Sequence, residues 1–393
     1  MRFWIAAALL CVALQATAQD APTKTLSECI DIGLANHPSL KAATASIDAG
    51  SERVWEAASG YLPSFTAAYR ADRKRTNPSS GTSGAIAVGT SLGRTFNFYT
   101  GTVAFSQVLF DFGQTLNSIR SAQASRDALE ADRDTQKAAV VLGIKQAYFA
   151  LLANHHLLIV ADETVRQNQQ HLDLADGRHS VGLAPKIDTT TAKVQLATSQ
   201  LNQLTARNNV AVGRETLRNA LGLDAPLTFE IEDVGDVHPN PIVENDAVQQ
   251  AYANRPEIRS LQLQMQSLEE HVTSLQKDYL PTVNANGNYQ WFGEDYPLKD
   301  TWDVYGTISL NQFNYALTRS QIGEAKANLA NVRYNTELEK QSIGLEVRQA
   351  VLNVQQAAQS IDVSRQGRDQ ARENLELAEG RYQTGVGSII ELT

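Results

Sequence analysis

The chain has 393 residues, 42% of them hydrophobic and 20% charged, with a formal net charge of −9. That is enough chain for a large core, and the acidic balance leaves no broad basic surface for nucleic acid. Two cysteines are too few for a disulfide-stapled scaffold.

Residues 1–18 read as a secretory signal peptide. Arg2 is followed by an apolar run from Ile5 to Leu14, then by the small-x-small triplet Ala16-Thr17-Ala18. The run is too short to span a bilayer. Cys11 lies inside it behind Leu10, a poor setting for lipidation, so the exported chain keeps only Cys29. No later segment approaches the ~18 apolar residues of a membrane helix. A membrane crossing would therefore need a closed β-barrel, which satisfies every backbone group.

The rest of the chain is written twice. "ANHPSL" at 35–40 matches "ANRPEI" at 253–258, and "GYLPSF" at 60–65 matches "DYLPTV" at 278–283, both at a spacing of 218 residues. "LGIKQA" at 142–147 matches "LEVRQA" at 345–350, and "GRHSVGLAPKID" at 177–188 matches "GRYQTGVGSIIE" at 380–391, both at a spacing of 203. The difference falls in a Gly/Ser-rich loop at 76–93 of the first copy. The copies span 24–222 and 246–393, with 223–245 as the linker.

Each copy opens with a helical segment that ends at Leu-Pro, since Pro63 and Pro281 break a helix. Two strands follow, at about 64–73 and 97–109 in the first copy and about 281–291 and 301–311 in the second. Their residues alternate with period two over roughly ten residues, the length of a tilted membrane strand. Phe65, Ala67, Tyr69, Val103 and Phe105 form the apolar face of the first pair. Val283, Tyr289, Trp291, Trp302, Val304 and Ile308 form that of the second. The opposite faces are mostly Asn, Thr, Gln and Ser. A half-buried soluble sheet alternates in the same way. Against it, Trp291, Phe292 and Trp302 flank the loop "GEDYPLKD" as an interfacial aromatic girdle would. On this face Arg73 must stand at the membrane edge.

A very long helix follows each strand pair, at about 114–176 and 317–382, without a proline. Helical spacing of Val140, Ile144, Ala147, Leu151 and Leu158 marks its apolar stripe. Such a helix extends about 100 Å and must be a rod or part of a tube. It lacks the sustained heptads of a simple coiled coil. The first one ends at Gly182 and Pro185, and Asp188 is a suitable N-cap for the helix that returns to about Ala220.

No nucleophile is paired with a base, and no HExxH, CxxC, GxSxG or P-loop is present. His155 and His156 project about 100° apart on a helix and cannot share one metal ion. The reading is a non-enzyme without cofactor or metal.

The signal peptide, the duplicated helix–strand–strand–long-helix unit, "YLP" before the first strand of each copy and the "GRxxxGxxxxx(D/E)" turn together resemble the TolC-type outer-membrane efflux and secretion channels. The resemblance implies a mainly α fold with a small β part. Three chains would form a twelve-stranded barrel in the outer membrane of a Gram-negative bacterium, continued by a helical tube in the periplasm. It implies a homotrimer, contact with outer-membrane lipid, a periplasmic adaptor (membrane fusion) protein and an inner-membrane transporter. The function implied is a passive exit duct in efflux or type I secretion. The family's gate maps onto Tyr382, Gly385 and Glu391 at one turn and Gly182 and Asp188 at the other. A family arginine falls on Gly387, and Lys186 could stand in for it. Three copies of Glu391 would form an acidic, cation-favouring ring, and the same residue suits a helix N-cap. The second copy stops at Thr393, about 30 residues short of the first, so the sequence reads as a fragment of a longer protein. The alternative function is a soluble periplasmic coiled-coil adaptor or scaffold. The polar tube lining does not name the cargo.

Overall fold

The computed structural model describes residues 22–76, 94–235, 242–310 and 315–387. The signal peptide, the 76–93 loop beyond Thr76, the middle of the linker and Glu391 lie outside the described residues. Contacts divide the chain into two compact units. One comprises Met1–Lys41, Gln136–Val243 and Gln349–Thr393; the other comprises Ala42–Thr135 and Glu244–Arg348. Each unit draws on both sequence copies, so the division in space cuts across the repeat.

The second unit holds a four-stranded antiparallel sheet. Its strands are β2 (Ser64–Thr76), β3 (Arg94–Phe110), β5 (Thr282–Gly293) and β6 (Lys299–Ser309), in the order β2-β3-β5-β6. The two central strands come from different copies, and β2 and β6 are open edges. Phe65 faces Phe105 in the first hairpin, and Val283 faces Ile308 in the second. These four positions are related by the same spacings of 218 and 203 residues that relate the repeats. The hairpins are longer toward their turns than the alternation suggested, because cross-strand hydrogen bonds continue past the last apolar residue. At the other end β6 stops at Ser309, short of residue 311, which is outside the described set.

Helices lead into and out of this sheet. α2 (Pro38–Ala58) and a short 3-10 turn (Ser59–Tyr61) precede β2, while α5 (Glu244–Asn254) and α6 (Pro256–Lys277) precede β5. α5 begins inside the segment assigned to the linker. α3 (Gln114–Ser180, 67 residues) and α7 (Tyr315–Thr384, 70 residues) are the long helices, each a little longer than expected because the "GR" turn is still helical. Asp111 starts α3. Its carboxylate accepts from the backbone of Gly113 (2.9 Å) and Thr115 (2.7 Å) and from the Tyr61 hydroxyl (3.2 Å). Burial opposes that charge, yet these donors outweigh it and hold the carboxyl below its usual range.

A seam of serines joins α6 of the second copy to α3 of the first. The Ser118 and Ser274 hydroxyls lie 2.9 Å apart, and those of Ser121 and Ser267 3.1 Å. Ser274 also donates to the Gln114 carbonyl, and Ser267 to that of Ser121. Short side chains let the helices approach, and each hydroxyl finds a partner so that burial is not penalised.

The first unit contains α1 (Leu26–Asn36), α4 (Lys186–Ala220) and the remaining parts of α3 and α7. Thr25 and Glu28 form a reciprocal capping box at the start of α1. Its core is Cys29, Ile144, Tyr148, Leu151, Leu217, Leu221 and Phe229. Inside the linker, β4 (Glu230–Ile231) pairs in parallel with β1 (Thr23–Lys24), and buried Tyr148 donates to the Glu232 carbonyl (2.5 Å). Burial raises the Cys29 thiol pKa, which suits a packing role.

The "ANxP" repeat has a structural purpose that sequence reading did not assign. His37 and Arg255 take the same extended backbone (ψ 125° and 126°), and Pro38 and Pro256 begin the next helix. Proline restricts its predecessor to extended geometry, so each copy breaks its entry segment into two helices.

Candidate functional site

Two regions carry the residues singled out from sequence, one in each unit. In the sheet, directly opposed residues share a face. One row runs Phe65, Phe105, Gly287, Val304; the next runs Ala67, Val103, Tyr289, Trp302. Val283 and Ile308 oppose each other farther along, and Trp291 lies in the row of Tyr69 and Gly101. All nine strand residues therefore stand on one face. Trp302, Val304 and Ile308 are 69–75% exposed in the single chain. Gly101 has a reason to be glycine: an added Cβ would lie 3.3 Å from the Trp291 ring, which lies across it. The opposite face is polar and cross-linked. Ser106 and Asn286 are bonded at 3.0 Å, and Asn286 donates to Thr307 at 3.0 Å.

In the other unit, the ends of α3 and α7 are built alike. Gly182 (φ 77°) and Gly385 (φ 81°) take left-handed backbone. Gly182 N–H bonds to His179 and Leu183 N–H to Arg178; Gly385 N–H bonds to Tyr382 and Val386 N–H to Arg381. This is the Schellman closure, in which glycine avoids the Cβ penalty of left-handed geometry. It accounts for the repeated "GRxxxG": the glycine five positions after Gly177 or Gly380 stops the helix.

Tyr382 is buried against Leu172, Ala175, Ala192 and Ala378. The Arg178 guanidinium lies 4.9 Å from its ring centroid and donates to its carbonyl. Burial raises the phenol's pKa, the charge of Asp188 adds to the rise, and Arg178 opposes it. The structure brings Asp188 and Tyr382 within electrostatic reach. Asp188 does not cap α4, however. Pro185 occupies that position, and Asp188 lies in the first turn, where its charge complements the helix dipole. Lys186 is the first residue of α4 and is exposed. Glu391 lies outside the described residues.

Sequence reasoning missed Arg178. The arginine was visible only as part of the "GR" motif, and its contact with Tyr382 spans two helices 204 residues apart in sequence. His171 sits half-buried, and burial lowers its pKa while nearby Glu379 opposes the shift. Among the described residues, no helix is long and apolar enough to cross a membrane, and no group of three His, Cys, Asp or Glu could hold a metal ion.

The family described as "Outer membrane efflux protein" matches residues 29–223 and 247–393. Toxin and drug export protein A of Aggregatibacter actinomycetemcomitans is 21% identical over 320 residues, covering 79% of this chain and 66% of that protein. Outer membrane protein TolC of Escherichia coli is 22% identical over 325 residues, covering 78% and 63%. The chain thus spans just under two thirds of the length of these relatives. Among solved structures, the Campylobacter jejuni CmeC outer membrane channel superposes with a TM-score of 0.80 at 18% identity, over 93% of this chain and 78% of that one. The Vibrio cholerae outer membrane protein VceC gives 0.75 at 17% identity, over 93% and 88%. The fold is thus that of the TolC-like channels.

Proposed function

The chain belongs to the outer membrane efflux protein family, and from that premise we propose that it is one subunit of a trimeric exit channel in the outer membrane. One observation carries the reading: an open four-stranded sheet with an exposed apolar face and a hydrogen-bonded polar face. Lipid leaves no unpaired strand edge unpenalised, so β2 and β6 must find partners in other copies. Three copies, the number the resemblance implies, close twelve strands into a barrel. Phe65, Val103, Phe105, Val283, Tyr289, Trp291, Trp302, Val304 and Ile308 then meet lipid, and the Asn286 row meets channel water. A soluble adaptor or scaffold has no use for such a face.

The turns at Gly182 and Gly385 form the periplasmic gate. Tyr382, Asp188 and Arg178 hold it shut, Lys186 lies at its rim, and the resemblance assigns Glu391 to the acidic ring of the constriction. Exposed Val181, Leu183, Ile187 and Val386 at these turns offer an apolar docking surface to a periplasmic adaptor, which links the duct to an inner-membrane transporter. The duct itself is passive and performs no chemistry.

Planar-bilayer conductance of the full-length protein tests this. We expect a small, cation-preferring conductance, with weaker cation preference in Glu391→Gln. Absence of conductance from a folded trimer overturns the channel reading, and unchanged preference removes Glu391 from the constriction.

A further inference from the structure

The apolar face of β2 does not end in apolar residues. After Phe65, Ala67, Tyr69 and Ala71, the same face continues with Arg73 and Arg75, because pairing with β3 is unbroken from Ser64 to Thr76. Both arginines are exposed, and among the described residues neither makes an ion pair. The contrast with the other face is direct. There Arg70 and Lys74 flank Asp72 at 2.7 and 3.7 Å, so their charge is largely matched. Two positive charges are left unmatched on the face that otherwise carries hydrocarbon.

Their height follows from the duplication. A spacing of 218 residues places Arg73 and Arg75 at the positions of Trp291 and Gly293 in the second copy. Copies related by rotation about a barrel axis put equivalent residues at one height. Trp291 belongs to the aromatic group with Tyr289, whose rings lie 4.7 Å apart, and such girdles mark the headgroup level. Arg73 therefore stands at headgroup level and Arg75 just outside it. Their Cα atoms are about 7 Å apart along one strand face, so both guanidinium forks can reach one phosphate group. The helices join the far ends of these strands, which points the hairpin turns away from the periplasm and into the outer leaflet.

We propose that Arg73 and Arg75 form a binding site for lipid-headgroup phosphate, specifically that of the phosphorylated glucosamine lipid of the outer leaflet. The site rests on the barrel reading above. Its physical basis is charge complementarity at a surface where two basic residues add their attraction to anionic lipid. The apolar band below them fixes the acyl chains, and the arginines select the phosphorylated head.

The test uses the full chain in neutral detergent and native mass spectrometry, with diphosphoryl lipid A as the probe. Wild type should retain the lipid, and Arg73→Gln/Arg75→Gln should bind it roughly 30-fold more weakly. Arg73→Lys/Arg75→Lys should fall between, since lysine keeps the charge without the fork. Dephosphorylated lipid A should bind both proteins equally weakly. Equal retention of diphosphoryl lipid A by wild type and the Gln variant overturns the site. So does displacement of lipid A from wild type by inorganic phosphate at equal concentration. A second measurement separates this from failure of the barrel reading. In a Trp4→Phe/Trp55→Phe background, Trp291 and Trp302 are the remaining tryptophans of the four. Brominated acyl chains in vesicles should quench them. Quenching without discrimination by the arginines overturns the site alone, whereas no quenching overturns the barrel beneath it.

Discussion

The side chain of Arg178 clasps the last turn of α7 by way of a single residue, Tyr382. Its guanidinium lies 4.9 Å from the ring centroid and donates to the same residue's carbonyl. One residue thus ties the ends of both long helices. Removing it in Arg178→Ala deletes a charged-group hydrogen bond and a cation–π contact, which under the gate proposal is together about 2 kcal/mol of closed-state stabilisation. The open-to-closed ratio in single-channel recordings should rise about 30-fold. Unchanged open probability would take Arg178 out of the gate.

Burial of His171 predicts acid sensitivity in the same region. The histidine's folded pKa is depressed by burial, with Glu379 the opposing charge. A depressed value contributes stability that is fully present above the unfolded pKa of about 6.5 and is lost as pH falls toward the folded value. Hydrogen-exchange protection around Leu172 and Ala378 should therefore drop as pH falls below about 6.5. In His171→Asn that drop should vanish; its persistence would assign the acid sensitivity to another group.

Gly222 ends α4 with φ 67°, and a Cβ there would lie 2.7 Å from the backbone Cα of His37. Neither the backbone conformation nor the neighbour can yield cheaply. Gly222→Ala should cost about 2–4 kcal/mol and lower the thermal midpoint of helix loss by circular dichroism. Gly143→Ala serves as the control, since an added Cβ there meets nothing within 4 Å.

The two sheet faces can be told apart with neighbouring positions. Under the barrel proposal Val304→Lys places a charge on the lipid side and should cost about 2–4 kcal/mol, seen as loss of trimer in detergent. Tyr305→Lys, one residue on and facing the other way, should assemble normally. Equal damage from both would refute the assignment of faces.

The sheet was largely legible in the sequence because one duplication encodes both hairpins. The 218 and 203 spacings that align the repeats also set Phe65 against Phe105 and Val283 against Ile308. Period-two alternation chose the face, and turn glycines marked the helix ends. The remainder is tertiary. Asp188 looked like a cap because Asp favours that role, but Pro185 already had the extended backbone that a cap requires. The breaks at His37 and Arg255 were hidden inside a motif read only as evidence of repetition. Arg178 became visible as a clasp only when α3 and α7 were placed side by side.

The serine seam has an evolutionary consequence. Ser118 and Ser121 belong to one ancestral half, Ser274 and Ser267 to the other, and each depends on the opposite half for its hydrogen-bond mate. A bulkier residue acquired on one side can be tolerated only by a compensating change on the other. At these positions the once-identical halves must drift as a couple, and a half transplanted from a cousin should fit only if its mate travels with it.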